Sequence, residues 1–560
     1  MGRNSRDRGP RENAVEANIP KSVSRRAFLS KGAAGVGAAA LVGVNADDAQ
    51  AQAKWDLSAD VVVIGAGVAG LPAAITARDL GASVIVVDEN FDIGGRGMLS
   101  GGRVHLGGGH ALQQKAGIKD SADQVFADWV RHDSAVARYS DRDLVRVFAD
   151  ENVATFDFLV ENGVQFRERP IGPEAASTVP RTFVTVEWQV PSEVYAPGGG
   201  RNGSGLVRRL EQSARKKGVQ ILLRHEMKSI IREQGSSGKV LGIAVNQPGG
   251  ALNIEAKRGV VIATGGHTGN VNFRRTFDPR LTEEYQQACM PYVFQGAKGE
   301  LAAMDIGAAL WATANQTSES GAAITKTRHI GCRWGYSSLV FQPESKLFPL
   351  AKATGLTVSD WQNMIFVNQN GQRFWNEADG SYRFFAAAMA YNGDTAKLNG
   401  GGPIWAIFDA DAASRERWDT KPPHVDPDGY FYTADTIAEL APMIRNPHQK
   451  KPISGAVLQE TVNRYNAFVT AGTDTDFKKP TPMYKIEKPP FYAAWATPIL
   501  HDTLTGLRSN TSGEVIDIRG AVIPGLYCAG ESQGGFAQHG LARCMVFGRV
   551  AGRNAAKRDA

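Results

Sequence analysis

The sequence predicts an α/β fold built on a doubly wound parallel sheet, and three observations predict it. Val61-Val62-Val63-Ile64 is a short, continuously apolar run of β-branched residues, the pattern of a strand covered on both faces, and it leads directly into Gly65-Ala66-Gly67-Val68-Ala69-Gly70. Within about thirty residues a helical stretch and a second apolar run, Ser83 to Val87, follow, and Asp88 stands at the end of that run. Two further apolar runs, Val260 to Ile262 and Ile523 to Cys528, also end in glycine-containing turns.

Taken in order, the chain opens with a polar arm. Ser24-Arg25-Arg26-Ala27-Phe28-Leu29-Ser30-Lys31 resembles the twin-arginine export pattern, an Ala-, Gly- and Val-rich stretch runs from Gly32 to Val44, and Ala51-Gln52-Ala53 offers an A-x-A cleavage site. Residues 1–53 are therefore expected to be a twin-arginine signal peptide with a disordered arm, and the mature chain to be periplasmic. The apolar stretch is too short and too rich in glycine to cross a membrane, and no later run approaches the necessary length. In the first strand–turn–helix unit, Gly65 makes the tight turn, Gly67 lets the backbone approach a pyrophosphate, and Gly70 permits close helix packing. Leu71 to Leu80 is the expected helix, with its N-terminus towards the pyrophosphate, and Gly81 ends it. Val68 and Ala69 belong to the same cradle, and Asp88, followed by Glu89, is the acid expected to accept from a ribose hydroxyl.

Composition removes other classes. Apolar residues make up 42% and charged residues 21%, which does not suit a disordered chain. The formal charge is +6, roughly half of it before Lys54, and no Lys/Arg block alternates with aromatics, so nucleic acid is not an expected partner. Cys289, Cys332, Cys528 and Cys544 form neither C-x-x-C nor C-x-x-C-H, which argues against zinc, iron–sulfur and covalent haem sites; no metal is expected. In an oxidising compartment a disulfide stays open as a possibility, with no pairing readable from the sequence.

Further motifs narrow the ligand. Gly94-Gly95-Arg96-Gly97 with Ser100-Gly101-Gly102 resembles the flavoprotein continuation G-G-x-x-x-x-S-G-G. Val260-Val261-Ile262-Ala263-Thr264-Gly265-Gly266 resembles the segment that returns the chain to FAD, and Gly525-Leu526-Tyr527-Cys528-Ala529-Gly530-Glu531 resembles the last flavin element, followed by Gly540-Leu541 and a helix through Arg549. Val367 to Glu377 resembles V-N-x-x-G-x-R-F-x-N-E, Ile404 to Asp409 a following strand, and Thr461 to Asn466 with Asp474 to Phe477 a helix and its D-x-D-F turn. With these, the whole mature chain resembles the FAD-dependent family of soluble fumarate reductases, urocanate reductases and 3-ketosteroid Δ1-dehydrogenases. The resemblance implies a Rossmann-like FAD-binding domain interrupted by an α+β clamp domain. The expected division is an FAD-binding first part at 54–324, the clamp at 325–490 and an FAD-binding return at 491–560.

The resemblance also implies the chemistry: a hydride moves between flavin N5 and one carbon of a C–C bond activated by a carboxylate or carbonyl, and a proton moves at the neighbouring carbon. His501 opens His501-Asp502-Thr503-Leu504-Thr505-Gly506, which resembles the family's H-x-T-x-G-G with one glycine replaced; it matches a substrate-binding histidine. His539 to Arg543 resembles H-G-x-N-R, whose arginine grips a substrate carboxylate. Glu377 matches a glutamate of the family's proton path. The proton donor stays open between Arg383, present at a shifted spacing, Arg415, beyond the strand ending at Asp409, and Tyr382, by analogy with the ketosteroid dehydrogenases. The Leu-Gly-Gly run expected after the arginine is replaced by Cys544-Met545-Val546, which leaves a monocarboxylate or a ketone as plausible as fumarate. A dehydrogenase of a cyclic ketone, and a non-catalytic FAD electron-transfer protein, are the competing readings. Trp188, His329, Arg333 and Trp334 are candidates for shaping the pocket. FAD is expected to be non-covalent, because Arg96 to Leu99 contains no histidine, although His105 and His110 lie a little further on. With no haem motif and no second G-x-G-x-x-G, the small-molecule substrate needs a separate electron donor or acceptor, a protein or a quinone.

Overall fold

The computed structural model describes residues 54–131, 140–172, 177–188, 202–277, 281, 286–287, 291–311, 322–325, 329–334, 355–379, 403–449, 452–538 and 540–558. The export-signal expectation, Tyr382, Arg383, Cys289 and His539 lie outside them.

The first strand, Leu57–Ile64, is central because both its faces are apolar and both are covered. Val61 and Val63 pack on one side, against the helix Gly70–Asp79 and the C-terminal helix Leu541–Lys557; Val62 and Ile64 pack on the other, with Ile85, Val87, Ile243 and Ile254. This two-sided burial is why the run reads as continuously apolar rather than alternating. Parallel neighbours flank the strand: Val84–Asp88 and then Gln220–Leu223 on one side, Gly250–Ile262 and then Val522–Cys528 on the other. Pairing of Tyr527 with Val261 and of Val63 with Val261 places the last strand of the chain two positions from the first. Glu514–Ile516 closes that edge antiparallel.

One element has no counterpart in the sequence expectations. Glu226–Gln234 and Ser237–Gln247 form an antiparallel hairpin on the first half of the long Gly250–Ile262 strand.

A second sheet is built from later residues. Its order is Ile365–Val367, Trp405–Asp409, Phe491–Trp495, Phe431–Ala434, all antiparallel. Ile365, Val367, Trp405 and Ile407 face the helices Ile437–Met443 and Gly455–Ala471 through Leu440, Leu458 and Val462. Phe366, Ala406 and Phe408 face Ile330, Val358 and Val425. Each side has its own apolar cluster, which gives this part of the chain a separate core. Among the described residues no helix is long and apolar enough to cross a membrane.

Candidate active site

Remote stretches of chain meet at one cleft of about 950 Å³. Its floor is the glycine turn after the first strand. Gly65 has φ +102°, a left-handed conformation that favours glycine, and a Cβ there would collide with the Ala263 carbonyl. Gly70 sits against the Gly65 carbonyl, so any side chain would push the helix off the turn. Gly67 differs: the nearest atom to a Cβ there is the Gly94 carbonyl oxygen at 3.9 Å, and Gly67, Val68 and Ala69 all line the cleft. The open space lies beside the N-terminus of the Gly70–Asp79 helix, whose partial positive charge accommodates an anion.

Asp88 is buried at the rim beside Glu89. Its Oδ2 accepts from Ala66 N at 2.8 Å and its Oδ1 from Asn90 N at 2.9 Å, so the acid also braces the turn. Burial pushes its pKa up to about 6, against the pull of those two N–H groups. A bare glycine floor, a helix N-terminus and a rim carboxylate with lone pairs to spare fit a phosphate-bearing dinucleotide.

Gly94, Gly95 and Arg96 form one wall, Thr264 and Gly265 another, and Gly530 and Glu531 a third. Arg96 ties these walls together. Its Nη1 donates to Gln295 Oε1 at 2.6 Å, and it lies 3.5 Å from Asp502 and 3.6 Å from Glu531. Gln295 in turn donates to Glu531. Burial raises the Glu531 pKa; Arg96 pulls it down, Asp502 pushes it up and Arg543 pulls it down, and the net shift is upward. Ser100, Gly101, Gly102, Gly266, Gly540 and Leu541 are not on the cleft wall. They shape it from behind: Ser100 Oγ closes a turn by donating to Gly97 O and accepting from Gly102 N, and Gly266 passes against Thr503. Gly540, with φ +101°, caps the helix that begins at Leu541. Gln295, Lys298, His225 and Met227 also line the cleft and were not found from the sequence; no motif surrounds them.

His501 lies in the strand Ile499–Thr503, which pairs antiparallel with Ala322–Thr325; only its backbone is described. Arg543 is fully buried in the first turn of the C-terminal helix. Its Nη1 donates to Phe536 O at 2.8 Å and its Nη2 to Thr503 O at 2.9 Å, while its buried Nε has no hydrogen-bond partner among the described residues. Two main-chain carbonyls thus fix the guanidinium at the end of the strand that carries His501, and the next residue, Cys544, lines the cleft.

Glu377 is buried in an ion cluster. Its Oε1 accepts from Phe366 N at 3.0 Å and Arg373 Nε at 2.9 Å, its Oε2 from Arg373 Nη2 at 2.8 Å, and Lys479 stands 3.4 Å away. Burial alone would raise its pKa, but the Lys479 and Arg373 charges outweigh burial and hold it below the usual range. Arg373 also bonds Asp474 at 3.0 Å, so the cluster ties the D-x-D-F turn to the second sheet. Arg415 is exposed, donates to Asn363 Oδ1 at 2.6 Å and stacks on the Tyr484 ring at 4.0 Å. His105 and His110 are both engaged elsewhere, His105 with Thr182 and Ser177, and His110 stacked on Phe156. Trp188 packs under Arg209, and Arg333 over Trp334. Cys332, Cys528 and Cys544 are buried free thiols, so no disulfide joins the described cysteines.

A family model described as FAD binding domain matches residues 60–543. The chain belongs to this family. It is an FAD-dependent oxidoreductase. Among curated relatives, the fumarate reductase (cytochrome) of Shewanella frigidimarina is 28% identical over 508 residues, covering 89% of this chain and 77% of that protein. The acrylate reductase flavoprotein subunit of Shewanella woodyi is 28% identical over 558 residues, covering 95% and 98%. Among solved structures, the open conformation of a flavocytochrome c3 fumarate reductase superposes with a TM-score of 0.65 at 24% identity, covering 90% of this chain and 79% of that one, which shows a shared fold.

Proposed function

We propose that this protein interconverts a C=C bond and its saturated CH–CH form next to a carboxylate or carbonyl group. The observation that carries this reading is Arg543. A buried arginine is costly unless its charge is used; among the described residues only two neutral carbonyls bond it, and the Glu531 carboxylate feels its charge without bonding it. A substrate carboxylate or carbonyl oxygen accepting from the guanidinium would satisfy the rest and draw electrons from the adjacent double bond. The named reductases among the relatives act on substrates of this kind.

Bound FAD supplies the hydride exchange. Gly67, Val68 and Ala69 receive the pyrophosphate, Asp88 the ribose, and Arg96, Thr264, Gly265, Gly530 and Glu531 surround the remainder. FAD is held non-covalently, a reading supported by the engagement of His105 and His110 away from the cleft. His501 and Arg543 hold and polarise the substrate. The proton is delivered by Arg383, Arg415 or Tyr382. Residues 325–490, which hold three of the four strands of the second sheet, act as the clamp over the substrate. The Arg25-Arg26 pattern sends the folded holoprotein to the periplasm, where a separate redox protein or quinone exchanges electrons with it.

The test is anaerobic. The purified protein is reduced with dithionite, and flavin absorbance is followed as fumarate, acrylate, urocanate and enones are added. Rapid reoxidation by an enoic acid supports the proposal. Reoxidation by none of them, with bleaching of the oxidised protein by a saturated ketosteroid, would narrow it to dehydrogenation of a cyclic ketone. No response to either class leaves an electron-transfer flavoprotein.

A further inference from the structure

The family's H-x-T-x-G-G pattern is broken at Thr505, and the structure shows what the extra side chain meets. Thr505 Oγ1 lies 3.2 Å from His267 Nε2. His267 follows the Gly265-Gly266 turn, and Gly266 lets that turn pass against Thr503. On its other side His267 Nδ1 is 3.6 Å from Glu300 Oε1, on the helix Lys298–Asp305. Thr505, His267 and Glu300 are all fully buried. The His267 Nδ1 and both Glu300 oxygens have no hydrogen-bond partner among the described residues. Phe273 and Phe277 wall the imidazole with ring centroids at 4.9 and 5.2 Å.

We infer that Glu300 and His267 are positioning residues that share one proton and, through the Thr505 hydroxyl, hold the 501–505 segment in place behind the substrate. That segment carries His501 and the Thr503 carbonyl that fixes Arg543, so the inference rests on the function proposed above. A protonated Glu300 faces His267 Nδ1 across 3.6 Å, near enough to donate after a small side-chain shift, His267 Nε2–H donates to Thr505, and no net charge is left in an apolar pocket. The alternative, an imidazolium beside a carboxylate, would bury two ions against the Phe273 and Phe277 rings.

The charged surroundings agree. Burial pushes the Glu300 pKa up to about 8. Burial lowers the His267 pKa to about 3; Glu531 pulls it up and Arg274 pulls it down. Cys528 is a titratable group that feels the Glu300 charge. Above about pH 8 the carboxylate forms, its donated hydrogen bond is lost, and the segment loosens.

Glu300→Gln separates this role from mere packing, because the amide keeps a donor towards His267 but cannot ionise. Two readouts are taken on the holoprotein. The first, thermal melting, needs no substrate. A folded-state pKa raised above the unfolded value gives stability that is lost as pH rises through the folded pKa. His267 acts with the opposite sign, but only below its unfolded value of 6.5. Between about pH 7 and pH 9 the wild-type melting temperature should therefore fall and that of E300Q should fall less. The second is kcat/KM with the acceptor found above: the wild type should decline through about pH 8 and E300Q should stay level. Thr505→Gly, which restores the family residue and cuts the link, should lose the kinetic decline while keeping the wild-type slope of melting. An E300Q protein that keeps both wild-type slopes, or a wild type with neither, overturns the inference. If E300Q does not fold, a T505G protein that still shows the kinetic decline does so. If no acceptor is found, the proposed function fails, and the melting comparison still decides whether the pair shares a proton.

Discussion

Replacing Asp88 by asparagine tests the cofactor cradle with almost no change of shape. The carboxylate spends one oxygen on Ala66 N and the other on Asn90 N, so both are acceptors in the wild type. Asparagine has one acceptor; its NH2 must face one of the two N–H groups, and a buried donor is left unsatisfied. That costs about 1–3 kcal/mol. Ala66 belongs to the turn that receives the pyrophosphate, and the acceptor offered to the ribose weakens as well. If the whole cost falls on the FAD-competent state, Kd for FAD rises roughly 5- to 150-fold at 1.4 kcal/mol per decade. The pH dependence gives a second signature. An ionised Asp88 is the better acceptor, so wild-type affinity should decline as pH falls through about 6, and the variant should lack that decline. Apoprotein titrated with FAD and followed by flavin fluorescence, at neutral pH and at about pH 5, measures both. A variant with wild-type Kd at neutral pH and the wild-type decline at acid pH would refute the assignment of Asp88 to the ribose.

Three other outcomes are expected. Arg181 is fully buried between Asp120 at 2.7 Å and Asp128 at 2.6 Å, so Arg181→Met strands two carboxylates and should cost about 3–5 kcal/mol in denaturant unfolding near neutral pH. Burial opposes but does not overcome the hydrogen bonds that hold both acids below their usual pKa; without Arg181 they protonate more readily, so the deficit should shrink as pH is lowered towards about 4. Gly548→Val would drive a side chain into the Ala69 carbonyl and force the C-terminal helix off the first helix; about 1–3 kcal/mol of stability should be lost, with weaker FAD retention on dialysis because Ala69 lines the cleft. Arg543→Lys keeps the charge but cannot reach both Phe536 O and Thr503 O, and kcat/KM in the reoxidation assay should fall roughly 10- to 100-fold, as expected for one charged hydrogen bond.

The sequence by itself determined the parts of this protein whose physics is local. A strand covered on both faces must be continuously apolar, a turn at φ +102° favours glycine, and an acid at the end of the second strand lies a fixed distance from that turn; Val61 to Asp88 therefore announce the cradle without help from the rest of the chain. Only the tertiary structure decided what closes over it. Arg96 meets Gln295 across 199 positions and Gln295 meets Glu531 across 236, and no periodicity or spacing links residues so far apart. The same limit explains Arg415, placed by its distance along the chain from Asp409 and turned by its helix towards Tyr484. It also explains Glu377, whose motif is readable but whose charge is held by Arg373 beside it and Lys479 a hundred residues on. His267 and Glu300 carry no motif at all. Their meaning lies in being buried 3.6 Å apart, and burial is a property that only the folded chain assigns.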